Sequence, residues 1–120
     1  MTEKRRAAFT RGMDAEAAAS ALLMAQGFEI IAQRVRTPRG EIDLIALKDT
    51  LLIFVEVKAR ASLTAAAESI LPRQRKRIAA AAEIYLGLHS EYAGFDMRLD
   101  VILIAPNAAP QHLAGAFEAE

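Results

Sequence analysis

Apolar positions in the first part of the chain recur at helical spacing. One face of this segment carries Ala15, Ala18, Ala19, Leu22 and Leu23. This i, i+3, i+4, i+7 pattern predicts a helix over residues 10–26. Thr10 is the expected N-cap, and Gly27 is the expected left-handed residue after the helix end.

The pattern then changes to the two-residue period of strands. Residues 28–35 alternate between apolar and polar, which predicts a half-exposed strand, and Thr37-Pro38-Arg39-Gly40 predicts a turn. Residues 41–47 and 51–58 follow as the two strands of a hairpin around residues 48–50. The second of these strands is almost continuously apolar, which is typical of a strand covered on both faces.

The second half of the chain predicts one long helix and one further strand. Residues 61–71 fit either a loop or a short helical turn. Pro72 suits the first position of a helix that runs to Leu88. The apolar stripe of that helix is Ile78, Ala81, Ala82, Tyr85 and Leu88. Residues 98–104 predict a strand, and residues 111–120 a short strand or turn.

The predicted element order is α-β-β-β-α-β. The first three strands form an antiparallel meander, and the long helix crosses over to a fourth strand parallel to its neighbour. The expectation is an α/β fold with a mixed central sheet of about four strands flanked by helices, in a single domain over residues 1–120.

Composition narrows the possible functions. The chain has 120 residues, no Cys and two His, which excludes a disulfide scaffold, a Cys zinc site and thiol catalysis. Fifteen Lys and Arg balance fifteen Asp and Glu, so any nucleic-acid surface must be a local patch. Because no apolar run reaches the roughly 18 residues of a membrane helix, we expect a cytoplasmic protein without membrane contact.

Charged residues inside the apolar hairpin carry the candidate chemistry. Glu41 and Asp43 lie two positions apart on the first strand, and Glu56 and Lys58 lie two apart on the second. Residues two apart share a strand face. An unpaired charge on a covered strand costs several kcal/mol, so each needs an ion partner, a metal or water.

The hairpin register decides whether two of these carboxylates meet. Asp43 lies opposite Glu56 if the loop is centred between Asp49 and Thr50. A loop centred on Asp49 itself would place them on opposite faces unless a bulge shifts the register. Converging carboxylates would suit Mg²⁺ or Mn²⁺, with Lys58 placed to orient water or stabilise negative charge. The alternative is a cross-face ion pair without catalysis.

Several motifs together resemble the YraN family of bacterial proteins. They are Arg11-Gly12 with Ala15-Glu16, Gly40-Glu41-Ile42-Asp43-Leu44-Ile45, Phe54-Val55-Glu56-Val57-Lys58-Ala59-Arg60, Ala82 with Tyr85-Leu86, Arg98-Leu99-Asp100-Val101, and Ala116-Phe117. The family is assigned to the restriction-endonuclease-like superfamily of metal-dependent nucleases with the PD-(D/E)xK signature. Archaeal Holliday-junction resolvases are similar in layout.

The resemblance implies a role for five residues. Asp43 and Glu56 match the metal-binding acids of the superfamily, and the main-chain carbonyl of Val57 would be a further ligand. Lys58 matches the lysine of the superfamily's (D/E)xK element. Glu16 matches an acid on the first helix that joins the site in related nucleases.

Basic residues near the hairpin and the long helix are candidate phosphate contacts. They are Arg36, Arg39, Arg60, Arg73, Lys76 and Arg77. The last three share one helix face, and cations at a helix N-terminus oppose the helix dipole, which favours an anionic partner. The alternative is a solvated face. Asp100 is expected to pair with Arg98, whereas His89 and His112 stand alone without metal-ligand spacing.

The sequence therefore predicts a Mg²⁺- or Mn²⁺-dependent, endonuclease-like protein that binds nucleic acid, with DNA as the expected substrate. The alternative is a non-catalytic module that binds nucleic acid or a protein partner on the same scaffold. An enzyme with one site per chain would need two copies to cut both strands of a duplex or junction, which would favour a homodimer.

Overall fold

A computed structural model describes the backbone of residues 3–116 and the side chains of residues 14–116. The helices are α1 (Glu3–Ala25), α2 (Leu63–Glu68) and α3 (Pro72–Leu88), with a short 3₁₀ turn at Ser90–Tyr92. The strands are β1 (Glu29–Thr37), β2 (Gly40–Lys48), β3 (Leu51–Ala59), β4 (Asp96–Ile104) and β5 (Gln111–Leu113).

The strands form one mixed sheet in the order β1-β2-β3-β4-β5. β1, β2 and β3 are an antiparallel meander, and the crossover through α2 and α3 makes β4 parallel to β3. The predicted α/β fold is confirmed. The sheet has five strands because β5 adds antiparallel to β4, within the tail where a short strand or turn was predicted. Residues 117–120 of that tail lie outside the described residues.

Helices cover both faces of the sheet, which explains the apolar character of β3. On one face, α2 and α3 pack over a core that includes Ile42, Phe54, Ile78, Tyr85 and Val101. On the other face, α1 packs over a core that includes Leu23, Leu44, Val55 and Ile102. Leu52 to Val55 are fully buried, as expected for a strand with no solvent-facing side.

The first helix is longer than its apolar stripe predicts. In the described residues it begins at Glu3, so Thr10 lies inside the helix and the prediction of a Thr10 N-cap was wrong. The preceding residues are mostly Ala, Arg, Lys and Glu, all strong helix formers, and they extend the helix. The predicted end is confirmed, because Gly27 has a φ of +93° and the Phe28 N–H donates to the Leu23 carbonyl (3.0 Å).

The long helix starts as predicted but its stripe ends earlier. Pro72 is its first residue, and the Leu71 N–H donates to the Gln74 side chain (3.0 Å). Leu88, the last residue of the predicted apolar stripe, is 77% exposed, so the buried part of the stripe ends at Tyr85. His89 covers this end instead, with its ring stacked on Tyr85 at a centroid distance of 3.9 Å, so His89 does not stand alone.

Residues 61–71 contain a true short helix. In α2 the Ser62 hydroxyl caps the first turn by accepting from the Ala65 N–H (3.0 Å). Among the helices of the described residues, none is both long and apolar enough to span a membrane.

Candidate functional site

The register of the β2–β3 hairpin decides how the two predicted acids, Asp43 and Glu56, lie relative to each other. β2 and β3 pair from Lys48–Leu51 to Leu44–Val55 around a two-residue turn at Asp49 and Thr50. Asp49 has a φ of +54°, as two-residue hairpin turns require. The turn is therefore centred between these two residues, and the register would set Asp43 opposite Glu56 if it continued one residue past its last pair, Leu44–Val55. The two carboxylates are close, because the charge of Glu56 raises the pKa of Asp43.

The Asp43 side chain takes the place of a backbone hydrogen-bond acceptor at the point where β2 and β3 stop pairing. Its Oδ2 accepts a hydrogen bond from the Val57 N–H (2.8 Å). In the continued register Val57 would face Ile42, so the carboxylate occupies the place of a ladder carbonyl. A strand residue directs its N–H and C=O towards the same neighbour, which places the Val57 carbonyl on the Asp43 side of β3.

Burial raises the pKa of Asp43 to about 7, and the negative charge of Glu56 is the second cause. The hydrogen bond from Val57 lowers the pKa in part, whereas Glu16 and Glu41 raise it further. Negative charge at this carboxylate is therefore incompletely compensated by the protein. A group of this kind gains from a nearby cation.

Glu56 is a buried carboxylate with two cationic neighbours. Its Oε1 lies 3.6 Å from the Lys58 Nζ and 3.4 Å from the Arg77 Nη2. The Lys58 side chain is only 7% exposed, so its ammonium group has little freedom to leave the site. Burial still raises the pKa of Glu56, although both cations act to lower it.

Arg77 reaches Glu56 by crossing the end of the β1–β2 turn. A Cβ at Gly40 would lie 2.6 Å from the Arg77 Cγ and 2.7 Å from its Cδ. Gly40 also has a φ of +138°, which other residues rarely adopt. Sequence reasoning assigned Gly40 to the turn but missed its second role, because the path of the Arg77 side chain follows only from how α3 lies on the sheet.

Glu16 lies on the α1 side of the same region, bound to an arginine. The Arg34 guanidinium donates from Nε and Nη2 to the Glu16 Oε2, at 2.9 and 2.8 Å. Val35 pairs with Ile42 and Gln33 with Leu44, so Arg34 lies opposite Asp43 in the sheet. Sequence reasoning did not place Arg34 in the site, since neither its pairing nor its φ of +51° has a sequence signal.

The oxygen donors of two acids, rather than a larger cluster, are what this site offers to a hard divalent cation. Among the described side chains, no group of three or more His, Cys, Asp or Glu residues is arranged to hold a metal. Asp43 and Glu56, with the Val57 carbonyl beside them, offer the oxygen donors that Mg²⁺ and Mn²⁺ prefer. The raised pKa of Asp43 indicates that added positive charge would be favourable there.

The candidate phosphate contacts lie on β1, in the β1–β2 turn, just beyond β3 and on α3. Arg73 and Lys76 are exposed on the side of α3 that carries Arg77. Arg39 is exposed in the turn beside Gly40, and Arg60 is exposed just beyond Lys58. Arg36 is 91% exposed and lies 3.5 Å from Glu41 across β1 and β2. The structure thus brings Arg77 to a site carboxylate, whereas Arg36 contacts Glu41.

Comparison with known proteins gives the family of the chain. The model of the "Uncharacterised protein family UPF0102" matches residues 15–104. The chain belongs to the UPF0102 family. The resemblance to the YraN family is thereby confirmed, since UPF0102 is that family.

Curated UPF0102 proteins are similar over nearly the whole chain. A relative from Bradyrhizobium sp. (strain BTAi1) is 55% identical over 97% of this chain and 85% of its own length. A relative from Rhodopseudomonas palustris (strain BisB18) is 53% identical over 97% of this chain and 86% of its own. The UPF0102 match spans Glu16, Asp43, Glu56, Lys58 and Arg77.

The UPF0102 protein has a second buried charged cluster, on β4 and β5. Asp100 binds the Arg98 guanidinium (2.8 and 2.9 Å), His112 Nε2 (2.7 Å) and the Gly115 N–H (2.9 Å). The predicted pairing of Arg98 with Asp100 is confirmed. The prediction that His112 stands alone was wrong, because β5 carries it onto Asp100. This cluster ties the C-terminal strand to the sheet.

Proposed function

We propose that this UPF0102 protein is a metal-dependent, endonuclease-like enzyme that binds nucleic acid and hydrolyses its phosphodiester bonds. The observation that carries the proposal is that Asp43 and Glu56 lie close enough for the charge of Glu56 to raise the pKa of Asp43, beside the buried Lys58. Two acids and one lysine at a point where strands separate form a surface on which phosphate chemistry is feasible.

Asp43, Glu56 and the Val57 carbonyl would hold Mg²⁺ or Mn²⁺. Such an ion, when bound, supplies polarisation of the phosphodiester and neutralisation of its charge. The protein contributes a pair of carboxylates already oriented by the Val57 N–H on one side and by Lys58 and Arg77 on the other. This orientation lowers the entropic cost of assembling the site.

Lys58 would orient the attacking water or stabilise the negative charge that develops on the phosphate. Its position 3.6 Å from Glu56 and its burial suit either role, because a fixed cation loses little freedom when the substrate binds. Glu16 would assist from α1. The phosphate backbone would be contacted by Arg36, Arg39, Arg60, Arg73, Lys76 and Arg77, and we propose DNA as the nucleic acid.

A second candidate function is a non-catalytic module that binds nucleic acid or a protein on this scaffold. The ion pairs favour it, since Glu16 already has Arg34 and Glu56 already has Lys58 and Arg77. In this case the acids stabilise the fold, and the exposed arginines alone meet the partner.

A cleavage assay combined with metal titration separates the two functions. Wild type, Lys58→Ala and Asp43→Asn are incubated with Mg²⁺ or Mn²⁺ on linear duplex, single-stranded, flapped and four-way-junction DNA. Lys48→Ala is the matched lysine control, because Lys48 lies at the opposite end of β2 and binds the Gln26 carbonyl (2.8 Å). The unfolding temperature is recorded with and without Mn²⁺ for each protein.

The enzyme proposal expects metal-dependent cutting by wild type and Lys48→Ala, at least 100-fold weaker in Lys58→Ala. It also expects a Mn²⁺-induced rise in unfolding temperature that Asp43→Asn lacks. Equal cutting by wild type and Lys58→Ala would indicate a contaminating nuclease. DNA binding without any cutting or metal-induced stabilisation would support the non-catalytic module.

A further inference from the structure

Three cations contact acids at or beside the candidate site, and they differ in exposure and in the acid that they bind. Lys58 is buried, with a side chain 7% exposed. Arg77 is 44% exposed at its side chain, but its stem is confined over Gly40. Arg34 is 43% exposed and reaches Glu16 from the edge strand β1. Of these three cations, Arg34 binds the acid on α1, with two hydrogen bonds to its Oε2, and it is therefore the cation that a metal must oppose to gain Glu16.

Arg34 also lies where it opposes an incoming metal. It is opposite Asp43 in the β1–β2 register, and Asp43 acts on it electrostatically. Its guanidinium donates from Nε and Nη2 to the Glu16 Oε2, and Nε also lies 3.3 Å from Oε1, so this carboxylate is already engaged by a cation. A divalent cation beside Asp43 would be repelled by Arg34 and attracted by Glu16. The two cations cannot both gain fully from the same acid.

We propose that Arg34 competes with the divalent metal for Glu16, so that the Glu16–Arg34 pair sets the metal affinity of this chain. The inference rests on the proposed metal site and deepens it. Without metal, Arg34 neutralises Glu16 and ties α1 to β1 next to the site. With metal, the hold of Arg34 on Glu16 weakens and the charge of Glu16 attracts the ion.

The test is a Mn²⁺ titration by calorimetry on metal-stripped protein, which needs no cleavage. Arg34→Gln removes the charge, and Arg34→Asn is a second variant because Asn tolerates a positive φ. Arg36→Gln is the matched control, since Arg36 lies two residues on in β1 and pairs with Glu41 rather than Glu16. Asp43→Asn reports whether the titrated site is the proposed one.

We expect Mn²⁺ to bind about fivefold tighter to both Arg34 variants, the size expected for removing one screened positive charge beside a divalent ion. Arg36→Gln should change the Kd less than twofold. In a Glu16→Gln background the gain from Arg34→Gln should disappear, because the acid under competition is gone.

The outcomes distinguish this inference from the proposed function. Asp43-dependent binding by wild type with equal or weaker binding by Arg34→Gln would overturn the inference alone. A full fivefold gain that persists in the Glu16→Gln background would also overturn it, since Arg34 would then act by simple repulsion. If neither wild type nor Arg34→Gln binds Mn²⁺, the metal site and this inference both fail.

Discussion

Two aspartates in the sheet show how surroundings set the charge of one residue type. Burial would raise the pKa of both. At Asp100 hydrogen bonds from His112, Arg98 and the Gly115 N–H reverse the effect and lower the pKa to about 2. At Asp43 a single backbone N–H opposes burial and the charge of Glu56, and the pKa rises to about 7. Asp100 is therefore held ionised, whereas Asp43 carries charge at a cost in stability.

Asp43→Asn should stabilise the metal-free protein at pH 8 and leave its stability unchanged at pH 3. The folded-state pKa of Asp43 is about 7, above its ordinary 3.8. Ionisation of Asp43 therefore destabilises the fold increasingly as the pH rises from 3.8 to about 7. Allowing for solvent screening, the gain at pH 8 should be about 2 kcal/mol. Asn keeps an acceptor for the Val57 N–H.

Urea unfolding of both proteins in EDTA at the two pH values measures this difference. Glu41→Gln is the control, because Glu41 is a more exposed acid on the same strand. It should change the free energy of unfolding by less than about 0.5 kcal/mol at either pH. A loss of stability in Asp43→Asn at pH 8 would contradict the argument that its charge is costly.

Asp100→Asn should destabilise the protein by about 2 kcal/mol at pH 7. The folded-state pKa of about 2 lies below the ordinary 3.8, so the stabilisation is present above pH 4 and is lost as pH falls towards 2. The difference between variant and wild type should therefore shrink by about half at pH 3. Urea unfolding at both pH values checks this, and a difference that stays constant would rule out the ionised state as its source.

At the scale of elements, the site forms where two strands stop pairing. The β2–β3 ladder runs as far as Leu44 and Val55, and beyond it the Asp43 carboxylate takes the Val57 N–H. The sequence left open whether Asp43 meets Glu56, because that depends on whether the hairpin turn is centred between Asp49 and Thr50 or on Asp49. It could not predict the binding of Glu16 to Arg34, because that contact depends on how α1 lies against the edge strand β1.

Gly40→Ala should uncouple the β1–β2 turn from α3. The new Cβ would lie 2.6 Å from the Arg77 Cγ, and Ala is strained at a φ of +138°. We expect a loss of about 2–3 kcal/mol in the free energy of unfolding, from steric displacement and backbone strain together.

A double-mutant cycle with Arg77→Ala separates these two causes. In the Arg77→Ala background the clash is absent, so Gly40→Ala should cost only its backbone strain, roughly 1 kcal/mol less than in wild type. Chemical denaturation of the four proteins gives the coupling energy. Strict additivity would mean that Arg77 does not need the space above Gly40.

At the scale of the whole molecule, charge is balanced but unevenly placed. The sequence has fifteen basic and fifteen acidic residues, yet exposed Arg73 and Lys76 share the face of α3 that carries Arg77. The layered fold could be predicted from periodicity alone, because both helix faces and the buried β3 have clear patterns. The fifth strand was less clear, since β5 has three residues and is held by the Asp100–His112 contact rather than by a long apolar pattern.

A local patch on a neutral protein makes a specific prediction for salt dependence. If Arg73 and Lys76 each neutralise one phosphate, the double variant Arg73→Gln/Lys76→Gln should weaken duplex binding and reduce the slope of log affinity against log salt by about 2. Lys48→Gln removes one positive charge at the opposite end of β2 and should leave the slope unchanged.

Fluorescence anisotropy with labelled duplexes of two unrelated sequences, in EDTA over a range of NaCl concentrations, measures both slopes. Equal weakening on the two sequences is expected, because phosphate contacts carry no base information. Weakening confined to one sequence would instead assign these side chains to base contacts. An equal fall in slope for Lys48→Gln would mean that DNA binding depends on the total charge of the protein. Arg73 and Lys76 would then not form a specific nucleic-acid surface.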